Sequence, residues 1–172
     1  MNPKTVFIFV AILIFSIPSA FAAKAQAALK GTTEGSPILG KVNFEETAGG
    51  LKVTAEVAGA PSGQHGFHIH ENGSCDENGK AAGGHFNPDK VKHGLLSQDG
   101  FKGAHAGDLG NLEIGPEGSG RYEATFPNLS LSVGKYKVLG KSVILHEKVD
   151  NFGQPTGNAG SRIACGVIEG KK

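Results

Sequence analysis

The chain of 172 residues has no tryptophan, two tyrosines, two cysteines and a single methionine, the initiator. Neither sign of charge is in excess: 17 Lys and Arg face 16 Asp and Glu, a formal charge of +1. That balance excludes the polybasic surface by which proteins hold nucleic acid or anionic membranes. Apolar residues amount to 38%, too few for a multi-pass membrane protein and enough for one modest core. No window carries a 3.6-residue apolar stripe over three turns, so helices are not expected to build the fold. What abounds instead is glycine, 27 residues scattered without a period, a composition suited to turns between short strands.

The one long apolar run lies at the start. Lys4 precedes the unbroken stretch Val6 to Phe15, Pro18 interrupts it, and Ala20-Phe21-Ala22 supplies a small-x-small cleavage pattern. Residues 1–22 are therefore expected to be a secretory signal, leaving one domain over 23–172. The uncharged stretch Thr5 to Ala23 is just long enough to span a bilayer, so an uncleaved anchor is the rival reading. Cleavage implies a periplasmic or extracellular protein with no stable membrane association. In an oxidising compartment Cys75 and Cys165 are expected to pair.

Beyond residue 23 the pattern has period two. Val42 and Phe44 alternate with polar neighbours, as do Leu51, Val53, Ala55 and Val57, with Gly49-Gly50 between them as a hairpin turn. Leu112 and Ile114 lead into a Pro116-Glu117-Gly118 turn, followed by Tyr122, Ala124 and Phe126. Val143 and Leu145, then Ile163, Cys165 and Val167, mark later strands. The expected class is all-β, about eight short antiparallel strands in a barrel or sandwich. Segments 71–107 and 147–161 do not read as strands, being rich in Gly, Asn, Asp and Pro. A structureless loop as long as the first is improbable unless a disulfide or a metal organises it.

Seven histidines supply the means. His68 and His70 stand two apart on an expected strand, so their imidazoles share one face while Phe67 and Ile69 point to the other. A lone pair of this kind is equally well explained by solvated strand residues. His85, His93, His105 and Asp108 fall within or just after the glycine-rich loop, where the chain can wrap round one ion. Three imidazoles and a carboxylate suit a closed tetrahedral zinc site. His146 ends a strand and can join the first pair from a neighbouring strand.

Five strings together carry a specific resemblance: Gly66-Phe67-His68-Ile69-His70-Glu71, Gly83-Gly84-His85-Phe86-Asn87-Pro88, Gly103 to Asn111, His146-Glu147-Lys148 and Gly157 to Ile168. In order and over nearly all of residues 23–172, they resemble copper/zinc superoxide dismutase. The resemblance implies an eight-stranded Greek-key barrel or sandwich with two long functional loops. It implies one copper per subunit on His68, His70, His85 and His146, and one zinc on His85, His93, His105 and Asp108, with His85 bridging the two. It further implies that Asp150 links His68 to His93, that His65 is structural, and that Arg162 receives the superoxide anion, with Lys148 contributing from farther off. The activity implied is dismutation of superoxide to dioxygen and hydrogen peroxide by a homodimer.

The chain departs from the cytosolic eukaryotic pattern in segment 147–161, which is shorter and carries Gln154-Pro155-Thr156 where those relatives have extra acidic and lysine residues. Thr156 is expected to narrow the channel instead. A non-catalytic copper carrier on the same fold is the first rival; a zinc hydrolase is the second, but it needs an open zinc position that three His and an Asp do not leave. Asn72-Gly73-Ser74 and Asn128-Leu129-Ser130 match glycosylation acceptors, which matter only on a eukaryotic secretory route.

Overall fold

Alternating burial makes the strands. In β2 (Leu39–Thr47) and β3 (Gly50–Ala58), Val42, Phe44, Leu51, Val53, Ala55 and Val57 point inward while their polar neighbours face water. The two pair antiparallel from Leu39–Ala58 to Thr47–Gly50, closed by Ala48 and Gly49. Gly50 lies at φ 117°, where an added Cβ would sit 2.3 Å from the Phe126 carbonyl oxygen, so the hairpin expected here depends on that glycine.

The structure, a computed structural model, describes residues 23–171; the expected signal, 1–22, lies outside the described residues. Besides β2 and β3 the strands are β1 (Lys24–Gly31), β4 (Gly63–His70), β5 (Asp108–Ile114), β6 (Gly120–Phe126), β7 (Ser142–His146), β8 (Arg162–Val167) and the two-residue β9 (Glu169–Gly170). They form one sheet in the order β2-β3-β6-β5-β4-β7-β8-β1-β9, with β1 also pairing back onto β2. Closure of eight antiparallel strands into a barrel removes every long unpaired edge. The connections β3 to β4 and β6 to β7 skip neighbours, which is the Greek-key feature. Phe44, Phe67, Phe126, Leu29, Leu51, Ile69, Leu112, Leu145 and Ile168 fill the interior. The all-β expectation thus holds, although β1 was not among the strands legible by alternation. Its inward residues are Ala25, Ala27 and Leu29, two of which are too small to stand out.

Segment 71–107 is not wholly loop. It contains one 3-10 turn, Lys80–Ala82, and a short helix α1 (Leu96–Gly103) broken at Gly100 (φ 60°, ψ −178°). Two interrupted turns cannot present a stripe three turns long, which is why periodicity shows nothing there. Three fasteners hold the segment. The Cys75–Cys165 disulfide joins it to β8 across a sequence separation of 90, worth about 4–5 kcal/mol in the chain-entropy model. Phe101 stacks on Tyr136 at 3.8 Å, and Asp89 accepts from Tyr136 Oη at 2.7 Å and pairs with Lys135, tying the segment to the β6–β7 connection.

Candidate metal centre

Strand β4 is buried on both faces. Phe67 and Ile69 enter the core, and His68 and His70 face outward beneath the loops. Backbone bonds bring the next histidine alongside: Glu71 N–H donates to Gly84 O at 3.0 Å, Phe86 N–H to Ile69 O at 2.8 Å and Gly107 N–H to Phe86 O at 2.9 Å. His85 is thereby paired with His70 in an isolated bridge. Gly107 permits this approach, since a Cβ there would lie 2.1 Å from the Ile69 carbonyl oxygen. His146 ends β7, which is the other neighbour of β4, and stands opposite Arg162 of β8.

Two groups of four side chains result, each with one ligand atom per residue within 4.8 Å of the rest: His68, His70, His85 and His146, and His85, His93, His105 and Asp108. His85 belongs to both, and all seven residues are buried. These are the seven residues singled out in the sequence, and the fold brings every one of them together.

In the first group each ring is oriented through one nitrogen. His68 Nε2 donates to Asp150 Oδ2 at 2.8 Å, His70 Nδ1 to Gly83 O at 2.9 Å and His146 Nδ1 to Gly160 O at 3.3 Å. The free nitrogens converge, His70 Nε2 lying 3.3 Å from His146 Nε2. His68 Nδ1 is buried without a hydrogen-bond partner. A buried acceptor left bare is costly; a cation among these nitrogens removes that cost. Burial, then the neighbouring His85, holds His70 well below the usual imidazole range. Burial, then His68 and His85, brings His146 down to about 3. Burial brings His85 down to about 4 despite the opposing hydrogen bond to Asp108. Such imidazoles stay neutral, as metal ligation requires.

The second group is built round the fully buried carboxylate of Asp108, at the start of β5. Oδ1 meets His85 Nδ1 at 2.8 Å and His105 Nδ1 at 3.1 Å; Oδ2 accepts from the backbone of Gly94 and His105 at 3.0 and 2.9 Å. His93 Nδ1 is 2.9 Å from Oδ2 but out of hydrogen-bonding alignment, a second bare buried nitrogen. Burial opposes charge on both partners, but the three imidazoles outweigh it and hold Asp108 far below the carboxylate range. Burial is likewise outweighed at His93, which Asp108 and Asp150 push up to about 9. A nitrogen-and-carboxylate set with unfilled lone pairs fits a borderline divalent ion such as zinc, and an all-nitrogen set fits copper.

Asp150 connects the groups as expected. Its carboxylate meets His68 Nε2 at 2.8 Å and His93 Nε2 at 2.9 Å, and its backbone pairs with the side-chain amide of Asn111 at 2.7 and 2.9 Å. His65 stands outside both groups, its ring between the carbonyls of His146 and Pro61, each 2.8 Å away. The guanidinium of Arg162 donates to Gly79 O and, at 2.5 Å, to Gly83 O, both within the segment that Cys75 anchors. It borders a cleft of about 420 Å³ lined by Thr32, Thr33, Asn78, Lys80, Gly160 and Ser161. Neither Thr156 nor Lys148 lines this cleft. Lys80 does, and sequence reasoning missed it. The usable signal was Asn78-Gly79, a turn pair with φ 55° and 80° that reverses the chain just before Lys80.

Residues 38–168 match the family model of copper/zinc superoxide dismutase. A relative named extracellular superoxide dismutase [Cu-Zn], from Caenorhabditis elegans, is 41% identical over 138 residues, covering 76% of this chain and 61% of that protein. Superoxide dismutase [Cu-Zn] 1 of Aquifex aeolicus is 39% identical over 138 residues, covering 76% of this chain and 80% of its own. The crystal structure of the clock protein EA4 superposes with a TM-score of 0.76 at 36% identity, covering 86% of this chain and 94% of the other.

Proposed function

Because this chain belongs to the copper/zinc superoxide dismutase family, we propose that it is an exported enzyme that converts two superoxide anions and two protons into dioxygen and hydrogen peroxide. The observation that carries the reading is the pair of four-residue groups sharing one histidine. His68, His70, His85 and His146 would hold copper; His85, His93, His105 and Asp108 would hold zinc, leaving it no open position. Copper supplies one-electron exchange with superoxide, and zinc a fixed positive charge that lowers the proton affinity of a shared imidazole.

The chain's own residues do the rest. His85, the one residue common to both groups, would be a ligand in each and would hold the proton that the peroxide product takes up. Asp150 fixes the tautomers of His68 and His93, since each donates Nε2–H to it and keeps Nδ1 as the ligand atom. Arg162 receives the anion. Its charge cannot be lost by deprotonation, and its other donors already grip Gly79 and Gly83, so the fork is preset. Lys80, exposed at the same cleft, adds positive potential along the approach.

Export is supported by relatives named extracellular in Caenorhabditis elegans, Haemonchus contortus and Drosophila melanogaster. Cleavage after Ala22 is read by mass spectrometry of the secreted chain. The homodimer rests on the family alone, and sedimentation velocity tests it. The activity itself is tested by following superoxide decay after pulse radiolysis with protein loaded with copper and zinc. Decay far beyond the molar amount of enzyme is expected; consumption of one equivalent, then none, sinks the enzyme reading.

A further inference from the structure

We propose that Gln154 is a positioning residue for the zinc half of the centre, its carboxamide clamping the backbone of His93 and so setting how firmly zinc is held. The inference rests on the ligand set proposed above. His93 lies on no strand and no helix, so its backbone groups lack the partners that a sheet gives His68 or His146. Gln154 replaces them. His93 N–H donates to Gln154 Oε1 at 3.0 Å, and Gln154 Nε2 donates to His93 O at 2.9 Å. Only one orientation of the amide satisfies both bonds. The side chain does for His93 what a neighbouring strand does for a residue in a ladder.

The same short segment holds the ring. Asp150 faces Nε2, and Phe152, at φ 59° with its N–H on Asp150 Oδ1 at 2.8 Å, stacks on the imidazole at 6.4 Å and 20°. Gly157 lets the segment close, for a Cβ there would lie 1.9 Å from Asp150 Oδ1 and 2.8 Å from His93 Nε2. Residues 150–157 are therefore wrapped round one ligand. Among the described residues no hydrogen bond joins Gln154 to His68, His70 or His146, so its influence falls on one metal and not the other. A ligand carried on a loop loses freedom when it takes an ion, and a clamp that restricts it beforehand reduces that loss.

The test uses the copper- and zinc-loaded protein with Gln154→Ala and Gln154→Glu. Zinc release to a chromogenic chelator is timed, copper release is followed in parallel, and cobalt placed in the zinc site reports ligand geometry by its visible bands. Supporting groups of this kind are worth roughly ten- to a hundredfold in metal affinity. Because Gln154 is exposed, the low end applies. Gln154→Ala should release zinc about tenfold faster with shifted cobalt bands and unchanged copper release. Gln154→Glu, which keeps the acceptor and loses the donor, should fall between. Zinc release unchanged from the parent overturns the proposal. Equal acceleration of both metals also overturns it, since that would be general loosening of the loop. If zinc does not bind the unsubstituted protein at this group, the ligand set fails instead, and the two failures are told apart.

Discussion

The two halves of the metal centre are built from different material. His68, His70 and His146 stand on adjacent strands β4 and β7, so the barrel sets their spacing and backbone carbonyls or Asp150 set their tautomers. His93 and His105 stand outside strands and helices, and what gathers them is the buried charge of Asp108. In the strand half, burial keeps His70 and His146 neutral and each faces a backbone carbonyl; the loop half is organised by an anion that no solvent reaches.

Removing the anion should break the comparison most. Asp108→Ala deprives His85, His93 and His105 of their common partner, a change that typically costs about 3–5 kcal/mol at a buried pair. Zinc content should fall to near zero while copper still binds the strand half, as elemental analysis and calorimetry will read. Arg162→Ala should leave both metals bound and lower the second-order rate at least about tenfold, the scale of anion steering; stopped-flow decay at low ionic strength measures it.

Titrating the metal-free protein separates the halves more finely. His146 and His85, held down to about 3 and about 4, bind fewer protons folded than unfolded below pH ~6.5. Stability is full above that pH and is lost as pH falls towards 4. His93, pushed up to about 9, has the opposite sign: its contribution is full below pH ~6.5 and disappears as pH rises through 9. Denaturant midpoints should therefore peak near neutral pH, with an acid limb from His146 and His85 and an alkaline limb from His93. His93→Gln should remove the alkaline limb; a flat profile in the parent would refute both assignments. The smallest effect is expected outside the centre, where Tyr136→Phe removes the bond to Asp89 and should cost about 0.5–1.5 kcal/mol without altering metal content.

The strand half was legible in the sequence because alternation puts His68 and His70 on one face, and a barrel then has only to supply His146. The loop half was legible through its residue types, three His and an Asp in a glycine-rich stretch, and through resemblance, not through any period. What stayed hidden has no period either. The Gln154 clamp joins residues 61 apart through a side-chain amide, and no propensity encodes such a pairing. Lys80 escaped notice because its place at the cleft depends on the disulfide-anchored turn before it, and α1 because Gly100 interrupts it.

β9 lies against the first strand, pairing Ala25 with Gly170, and Lys171 N–H reaches the Lys24 carbonyl at 2.9 Å. A few residues of linker would join these neighbours, and the exposed Ala48–Gly49 bend could serve as new ends. Such a circular permutant keeps all neighbour relations among the eight barrel strands, so if it unfolds cooperatively and takes up both metals, the order in which the ribosome delivers those strands is dispensable. A permutant that stays unfolded would mean that delivery order is part of the instruction.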